Sequence, residues 1–405
     1  MRQFPDSPNS YNVPSGDESQ LGNCFLPMMM ILALFTLSIV SNSAHARVES
    51  EALAEFGQIL FFDLNLSRRR TQSCATCHDP ATAFIDPRDN GVNRAVSLGD
   101  DGRALGDRNT PSTAYAVATP DFYRNEAGDY IGGFFLDGRA PSLGAQATEP
   151  LFNPLEMDLP NPATALSRIL EDPGYVARLT KLYGEHVLSD ETAIVEIIGA
   201  SIAAFEQTAY FSSFDSKYDR HVRGEYVMTE LEESGRRLFF SPLTNCTSCH
   251  LFGTSSVGER ETFSNYQYHN IGLPPNEPVR VANQLGENYR DKGLFANPQV
   301  DDAKYSGKFK VPSLRNVAVT APYMHNGIFQ ELRTAILFYN KFLIGSRQSQ
   351  TNPETGHPWV SAEFPATIDI ELLDQGQPIN EGRATALIAF LKTLTDRRYE
   401  HLLDD

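Results

Sequence analysis

Apolar residues recur at helical spacing in several separate segments of this chain. Leu53, Phe56 and Leu60 lie three or four residues apart and predict a first helix over residues 47–62. Similar spacing or a capping signal predicts further helices over 163–185, 190–211, 229–240 and 330–343, and a last helix that begins after Asn380. The alternation of apolar and polar residues that is typical of strands is weak throughout. The pattern therefore predicts a mainly α fold.

Two pentapeptides of one pattern stand out against this background. Residues 74–78 read Cys-Ala-Thr-Cys-His, and residues 246–250 read Cys-Thr-Ser-Cys-His. Cys-x-x-Cys-His is the attachment signature of c-type haem, in which two thiols bond the porphyrin edge and the histidine binds the iron. A zinc site or a redox dithiol is the alternative, but neither needs a histidine directly after the second cysteine. The pentads predict two covalent haems attached through Cys74, Cys77, Cys246 and Cys249, with His78 and His250 as proximal ligands.

The surroundings of the two pentads also resemble each other. Each pentad follows a predicted helix that ends in Leu-Phe-Phe, at 60–62 and at 238–240, and precedes a long stretch rich in Gly, Pro, Asp and Asn. Such long irregular stretches are unusual in a plain domain, but a haem can replace the missing hydrophobic core. The repetition predicts two cytochrome c-like haem domains with long irregular loops, an N-terminal one over 47–224 and a C-terminal one over 225–405.

Composition narrows the classes of function without identifying one. The chain has 405 residues, of which 41% are hydrophobic and 21% charged, as in ordinary globular proteins of two or three domains. The formal net charge of −17 gives no support for binding to nucleic acid or to an anionic membrane surface. An acidic surface would attract a basic redox partner, but acidic composition is too common to identify one.

The first 46 residues have features of an export signal. The apolar run over 25–40 is short for a membrane span, and residues 43–46 (Ser-Ala-His-Ala) provide a small-x-small cleavage site. We therefore expect an export signal over 1–46, cleavage after Ala46 and a periplasmic or otherwise exported mature protein. Only one basic residue precedes the run, so an internal start at 28–30 and an uncleaved anchor are the alternatives.

Several longer motifs carry a resemblance to a known family. They comprise Leu60–Asp63, Arg108–Pro111, Asp137–Ala140, Gln146, Asn153–Met157, Val311–Asn316 and Thr320–Gly327. With the two pentads, these motifs resemble those of the bacterial dihaem cytochrome c peroxidase and MauG family over nearly all of the mature chain. The resemblance implies that hydrogen peroxide is activated at the N-terminal haem and that the C-terminal haem passes electrons.

The resemblance also assigns roles to individual residues. The distal-pocket glutamine and glutamate of the family correspond to Gln146, which would orient peroxide, and Glu156, which would move a proton between the peroxide oxygens. Pro150 would shape the pocket. A family calcium site between the haems corresponds to Asn109, Thr320 and Pro322, whose oxygen donors suit calcium. Two covalent c-type haems and one calcium ion are therefore the expected cofactors.

The distal face of the first haem is expected to be open. Many of the family's peroxidases hold a histidine there, in the loop after the first pentad. This chain has no histidine between His78 and His186, and Arg94 stands near the expected position. The first haem should therefore be five-coordinate or water-ligated at rest. His186, His221 or a later histidine reaching into the site is the alternative.

Tyr339 is the predicted sixth ligand of the second haem. The electron-transfer peroxidases have a methionine fourteen residues after the histidine of a Tyr-x-His-x-Gly turn, and MauG-like proteins have a tyrosine there. Counting from His325 gives Tyr339. A phenolate is a hard anionic donor that favours ferric and higher iron. A core tyrosine without a ligand role is the other interpretation, and Met324, His269 and His357 are rival ligands.

One position departs from the family. Both branches usually carry a tryptophan between the haems, just before Asp-Gly-Arg, whereas this chain has Leu136 there. An aliphatic side chain cannot be oxidised as a relay, so the sharing of oxidising equivalents between the haems is in question. Trp359, in a polar insertion over 345–380, is expected to be a packing or interface residue.

These features favour a dihaem peroxidase-type oxidoreductase of the MauG-like branch. Hydrogen peroxide would react at the N-terminal haem, and oxidising equivalents would pass through the C-terminal His/Tyr haem to a residue on a partner protein. A peroxide-scavenging enzyme fed by a small cytochrome or cupredoxin is the alternative. A non-enzymatic electron carrier is a third reading, against which Gln146 and Glu156 argue. Because family members often form dimers, a homodimer is a further expectation.

Overall fold

The structure, a computed structural model, describes residue 48 and residues 50–251, 260–343 and 350–403. Ala52–Asp405 form one compact unit, and the predicted export signal over 1–46 lies outside the described residues. None of the helices in the described ranges combines the length and the apolar character that a membrane span requires.

Helices account for most of the regular structure, as predicted. In chain order they are α1 (which includes 52–61), α2 (Cys74–Cys77), α3 (Leu143–Phe152), α4 (Pro162–Leu170), α5 (Pro173–Tyr183), α6 (Glu191–Glu206), α7 (Lys217–Val222), α8 (Glu230–Phe239), α9 (Glu277–Ala282), α10 (Leu332–Phe338), α11 (Ile370–Leu373) and α12 (Glu381–Lys392). Two antiparallel ribbons pair β1 (Tyr123–Arg124) with β2 (Tyr130–Ile131), and β3 (Tyr268–His269) with β4 (Phe309–Lys310). The mainly α class is confirmed.

Some predicted helices differ in extent from the observed ones. The helix predicted over 163–185 is divided, because Pro173 lacks a backbone N–H and Asp172 caps a new helix there. The helix predicted over 330–343 ends as α-helix at Phe338 and continues as a 3-10 turn, Tyr339–Phe342. Helices α2, α3, α7, α9 and α11 were not predicted. Of these, α3 is the important omission because it carries Gln146 and Pro150.

The two Leu-Phe-Phe helices pack in the same way. A Cβ added at Gly57 of α1 would lie 1.8 Å from the carbonyl oxygen of Ser201 in α6. A Cβ added at Gly235 of α8 would lie 1.8 Å from the carbonyl oxygen of Ala386 in α12. Only glycine permits so close an approach of two helix backbones. The repetition predicted around the pentads therefore extends to the helix pairs that hold them.

The largest hydrophobic clusters follow these helix pairs. One contains Phe56 and Phe61 of α1 with residues of α3 to α6, and the other contains Phe239 of α8 with Phe390 of α12. The domain boundary near residue 224 remains a prediction.

A buried ion pair connects α7 to the loop before α10. The side chains of Arg315 and Asp219 are 0% and 1% exposed. Arg315 Nη1 donates to Asp219 Oδ2 at 2.6 Å and Nη2 donates to Oδ1 at 2.8 Å. Arg315 Nε donates to the carbonyl oxygen of Glu261 at 2.8 Å, and the guanidinium lies over the Tyr218 and Phe263 rings. The guanidinium is thus well satisfied although it is excluded from water.

We predict that Asp219→Asn strongly destabilises the protein. The substitution leaves the Arg315 charge buried without its carboxylate, which typically lowers the free energy of unfolding by about 3–5 kcal/mol. Denaturant unfolding followed by circular dichroism measures the loss. Glu225→Gln removes the exposed partner of Arg223 and serves as the matched control, with a much smaller effect. Equal losses in the two variants would contradict the structural role of the buried pair.

Candidate active site

The first pentad forms a single helical turn that presents its histidine. Ser73 caps α2, and the His78 backbone N–H donates to the Cys74 carbonyl oxygen at 2.9 Å. The His78 Nδ1 lies 3.2 Å from the Phe84 carbonyl oxygen. Because a carbonyl can only accept, Nδ1 carries the proton and Nε2 keeps its lone pair for a metal. Burial lowers the pKa of His78, which keeps the imidazole neutral.

The second pentad repeats this geometry. The His250 backbone N–H donates to the Cys246 carbonyl oxygen at 2.9 Å, and the His250 Nδ1 lies 3.0 Å from the Phe263 carbonyl oxygen. Burial lowers the pKa of His250 to about 4, partly against the effect of the Phe263 carbonyl. Both pentads therefore offer a neutral imidazole oriented by a backbone acceptor, as in proximal ligands.

The loops that supply the acceptor carbonyls are also repeated. Phe84 and Phe263 are fully buried and have φ of 61° and 59°, so each turns sharply beneath its histidine. Ser112 Oγ donates to the carbonyl of Ala83, just before Phe84, at 2.6 Å. Ser313 Oγ donates to the carbonyl of Thr262, just before Phe263, at 2.7 Å. Each histidine is therefore supported by a strained phenylalanine turn that a Pro-Ser segment holds in place.

A cavity of about 360 Å³ adjoins the second pentad. The pentad contributes Cys246, Cys249 and His250 to its walls, which are otherwise mostly apolar. The four cysteines of the two pentads form no disulfide, so their thiols are free for attachment. An apolar cavity beside two thiols and an oriented imidazole fits a covalently attached haem.

Tyr339 also lines this cavity, at the point where α10 becomes a 3-10 turn. Burial raises the pKa of its phenol. Two of the rival ligands, Met324 and His269, line the same cavity, whereas His357 is exposed at the surface. The structure thus brings Tyr339 and His250 to one cavity and leaves Met324 and His269 as alternatives.

The predicted peroxide residues lie on or just after α3. Gln146 and Pro150 are four residues apart and therefore share one face of this helix. Asn153 ends the helix, with its N–H donating to the Glu149 carbonyl, and Asn153 Nδ2 donates to Glu156 Oε2 at 3.0 Å. The turn after α3 therefore fixes the Glu156 carboxyl relative to the face that carries Gln146.

The Glu156 carboxyl is electrostatically perturbed. Burial raises its pKa above the usual carboxyl range, although the hydrogen bond from Asn153 and the charge of Arg139 act to lower it. Burial also raises the pKa of the Cys77 thiol to about 11, and the Glu156 charge contributes in the same direction. Glu156 is thus within electrostatic reach of the first pentad. A carboxyl with a raised pKa beside a cofactor site is a candidate acid–base group.

The residues considered for the distal face of the first haem occupy different environments. Arg94 and His186 are exposed to solvent. His221 is half-buried and its Nδ1 lies 3.1 Å from the Tyr226 carbonyl oxygen. The open distal face remains a prediction.

A network of charged side chains connects the motifs Arg108–Pro111 and Asp137–Ala140. The sequence analysis did not predict it. Arg108 donates to Asp291 through Nε and Nη2, both at 2.7 Å, and to Asp137 through Nη1 at 2.6 Å. Asp137 also pairs with Arg139. Arg108 and Asp137 each belong to a quoted motif, but Asp291 lies 183 residues from Arg108 without any local pattern. The network joins loops from both halves of the chain beside the cavity-lining residues Asn109 and Leu136.

Similarities to known proteins identify the family of this chain. Residues 51–227 match the family described as di-haem cytochrome c peroxidase. The chain is 49% identical over 382 residues to the methylamine utilization protein MauG of Paracoccus denitrificans, an alignment that covers 93% of this chain and 98% of that relative. It is 30% identical over 309 residues to the cytochrome c551 peroxidase of Pseudomonas aeruginosa, with 75% of this chain and 76% of that relative covered.

Solved structures give the same result. The diheme peroxidase BthA of Burkholderia thailandensis superposes with a TM-score of 0.78 and 31% identity, over 87% of this chain and 88% of that chain. A MauG-like protein associated with microbial copper homeostasis superposes with a TM-score of 0.62 and 30% identity, over 86% and 90% of the two chains. Together with the two matched haem-attachment pentads, these similarities show that the chain belongs to the dihaem cytochrome c peroxidase and MauG family of peroxidase-type oxidoreductases.

Proposed function

We propose that this protein uses hydrogen peroxide to oxidise a residue on a partner protein, as a MauG-like enzyme. The observation that carries the proposal is Tyr339, which lines the cavity beside the second pentad together with His250. The extensive similarity to a MauG protein supports it. Each haem, when bound, supplies an iron that gains and loses single electrons. Cys74, Cys77 and His78 would hold the first haem, and Cys246, Cys249 and His250 the second.

Glu156 moves the proton that peroxide cleavage requires. Reduction of hydrogen peroxide consumes two electrons and two protons and yields two water molecules. The Glu156 carboxylate accepts a proton from one peroxide oxygen and returns it to the other oxygen, which leaves as water. Asn153 holds the carboxyl through the 3.0 Å hydrogen bond to Oε2. Gln146, on α3, orients the peroxide, and Pro150 on the same helix face shapes the pocket.

We predict that Glu156→Gln slows the reaction with peroxide by about 10²–10⁴-fold, the usual contribution of a general acid–base group. The rate constant comes from stopped-flow absorption of the haems. In the parent protein it should rise with pH through the raised pKa of Glu156, because the carboxylate form accepts the proton. This rise should disappear in the variant. Glu196→Gln, on the exposed face of α6, is the control. An unchanged rate in Glu156→Gln would exclude this role.

Tyr339 is the proposed axial ligand of the second haem. It is anchored at the C-terminal end of α10, whose residues Ala335 and Ile336 line the same cavity. Anionic oxygen donors stabilise oxidised iron, whereas methionine sulfur favours reduced iron. A tyrosine ligand therefore suits a haem that stores an oxidising equivalent better than one that accepts electrons from a cytochrome.

We predict that Tyr339→Phe converts the low-spin ferric signal of the second haem to a high-spin signal. Electron paramagnetic resonance of the resting ferric protein measures the change, and the high-spin signal of the first haem should persist. Tyr323→Phe alters another tyrosine of the same cavity and is the matched control. If Tyr339→Phe keeps the low-spin signal and Met324→Leu removes it, the ligand is Met324. Two low-spin haems in the parent protein would contradict the open distal face.

The calcium site is proposed at Asn109, Thr320 and Pro322, which all line the cavity. Asn109 Nδ2 donates to the Ala95 carbonyl at 3.1 Å, which leaves Oδ1 as the end available to a cation. The Asn109 N–H donates to the His325 carbonyl at 2.8 Å, and this contact joins the two motifs that supply the donors. Amide and carbonyl oxygens are suitable ligands for calcium.

Export to the periplasm, with removal of residues 1–46, is part of the proposal. The covalent haems support it, because c-type haem is attached outside the cytoplasm. The four cysteines of the mature chain form no disulfide, which is consistent with the proposal because haem attachment would use all four.

The scavenging alternative makes a different kinetic prediction. We expect that peroxide turnover with a reduced small cytochrome c is no faster than the spontaneous decay of the peroxide-treated enzyme. The expectation follows from Tyr339, because a ligand that stabilises oxidised iron opposes electron entry from a cytochrome. Stopped-flow oxidation of the reduced cytochrome measures turnover. Rapid, peroxide-dependent oxidation of the cytochrome would favour the scavenging peroxidase.

A further inference from the structure

Residues 396–403 follow α12 in the second half of the chain, but they pack against the first half. This segment 396–403 includes a 3-10 helix, Arg397–Leu402. Tyr399 is 2% exposed and belongs to the hydrophobic cluster of α1 and α3 to α6, against which the first pentad also packs. Asp396 is fully buried, and its Oδ1 accepts a hydrogen bond from the Tyr115 hydroxyl. Segment 396–403 is therefore part of the surroundings of the first pentad, although the two are far apart in the sequence.

Two contacts from segment 396–403 reach the loop that follows the first pentad. The Tyr399 hydroxyl donates to the carbonyl oxygen of Pro80, which lies two residues after the pentad histidine, at 2.9 Å. The Arg398 guanidinium lies over the Phe84 ring, with its central carbon 5.3 Å from the ring centroid. The Phe84 carbonyl is the acceptor that orients the pentad histidine. The segment thus contacts both ends of the loop between this histidine and its backbone acceptor.

Aromatic rings provide most of the surroundings of the Arg398 guanidinium. Its Nε and Nη2 atoms are buried and have no hydrogen-bond partner among the described residues. The central carbon of the guanidinium lies 4.7 Å from the ring centroid of Tyr399, 5.3 Å from that of Phe84 and 5.5 Å from that of Tyr210. A cation is attracted to the face of an aromatic ring, and the attraction increases where water is excluded. The guanidinium is therefore held by these rings and holds them in return.

The second pentad has an arginine in the same relation to its acceptor turn. The Arg315 guanidinium lies over the Phe263 ring, 5.5 Å from its centroid, and the Phe263 carbonyl is the acceptor for His250. Arg315 is also paired with Asp219, so its position does not depend on aromatic rings alone. Arg315 and Arg398 stand at different distances along the chain from their pentads, so the likeness does not follow from a repeated sequence. A guanidinium over the phenylalanine of both turns indicates that it supports the turn.

The Phe84 turn needs support because of its backbone conformation. A φ of 61° is strained for a residue with a Cβ, and such a conformation persists only where its surroundings hold it. The Phe84 ring is fully buried and stacks on Phe211 with centroids 4.5 Å apart, and Arg398 provides a further contact to the same ring. A loss of this packing would let the Phe84 carbonyl move relative to the His78 Nδ1.

We propose that Arg398 is a positioning residue of the first haem site. Its guanidinium holds the Phe84 ring and, through it, the carbonyl that accepts the hydrogen bond from His78 Nδ1. The inference deepens the proposed function and rests on it for the role of His78 as proximal ligand. An imidazole that donates a well-aligned hydrogen bond through Nδ1 is a better electron donor through Nε2. Arg398 therefore influences the ligand bond of His78 and the reaction with peroxide without contacting either.

The test compares the two haems within one holoenzyme by electron paramagnetic resonance of the resting ferric protein. Arg398→Met keeps the length of the side chain without its charge, and Arg398→Lys keeps a charge over the rings. We expect Arg398→Met to change the splitting and width of the high-spin signal of the first haem, because the His78 ring is no longer held in one orientation. The low-spin signal of the second haem should stay unchanged and so confirm that the variant is folded. Arg398→Lys should restore most of the parent signal.

The reaction with peroxide gives a second readout by stopped-flow absorption. We expect Arg398→Met to slow this reaction by up to about 10-fold, the lower end of the usual effect of a residue that orients a ligand. Arg397→Met removes the charge of the exposed neighbouring residue and is the matched control, with a parent-like signal and rate. Arg398→Gln is the second uncharged variant and replaces Arg398→Met if that variant does not fold.

The outcomes separate the role of Arg398 from the proposed function. A parent-like high-spin signal and peroxide rate in Arg398→Met overturn the positioning role and leave the proposed function intact. An equal change in the low-spin signal, or no recovery in Arg398→Lys, reflects a general loss of packing and also overturns the positioning role. A parent protein that does not react with peroxide overturns the proposed function, while the comparison of the resting signals still decides the role of Arg398.

Discussion

The hydrogen bond from each pentad histidine to a backbone carbonyl is the constraint on which the site depends. This hydrogen bond fixes the tautomer and the ring plane of the imidazole. The lone pair of Nε2 is therefore available and oriented for a metal before the metal binds. The carbonyls of Phe84 and Phe263 can take this position only because both residues adopt positive φ. Ser112 and Ser313 then hold the preceding peptide groups in place. Ligand geometry therefore depends on backbone conformation 6 residues beyond His78 and 13 residues beyond His250, which serines farther along the chain support.

The two halves share this support and differ in what they place around it. The first half adds the turn after α3, which brings a carboxyl of raised pKa within electrostatic reach of its pentad. The second half adds α10, which brings a tyrosine to the cavity wall. Glycines at the equivalent points of α1 and α8 show that the scaffold is common. The same scaffold thus places a buried carboxyl, Glu156, in the first half and a buried phenol, Tyr339, in the second half.

Sequence patterns revealed the features that depend on local spacing and missed those that depend on distant contacts. Local spacing predicted three features: the pentads, the Leu-Phe-Phe helices and the start of α12. Each of them depends on the identity of a few adjacent residues. Helix α3 was missed because Gly144 and Pro150 weaken its helical signal, and tertiary packing overrides that weakness. The Arg108–Asp291 pair could not be predicted, since no periodicity relates residues 183 positions apart. Family resemblance, rather than physical pattern, pointed to Gln146 and Glu156.

The Arg108 network has a consequence for the response of the protein to acid. The guanidinium of Arg108 lowers the pKa of Asp291 to about 2, although burial acts in the opposite direction. A carboxyl with a lowered pKa contributes its full stabilisation above its unfolded value of about 3.9 and loses it only as the pH falls through the folded value. The link between Arg108 and Asp291 therefore persists in mildly acidic media. The contact between the loops that it joins is therefore maintained when the surrounding medium becomes mildly acidic.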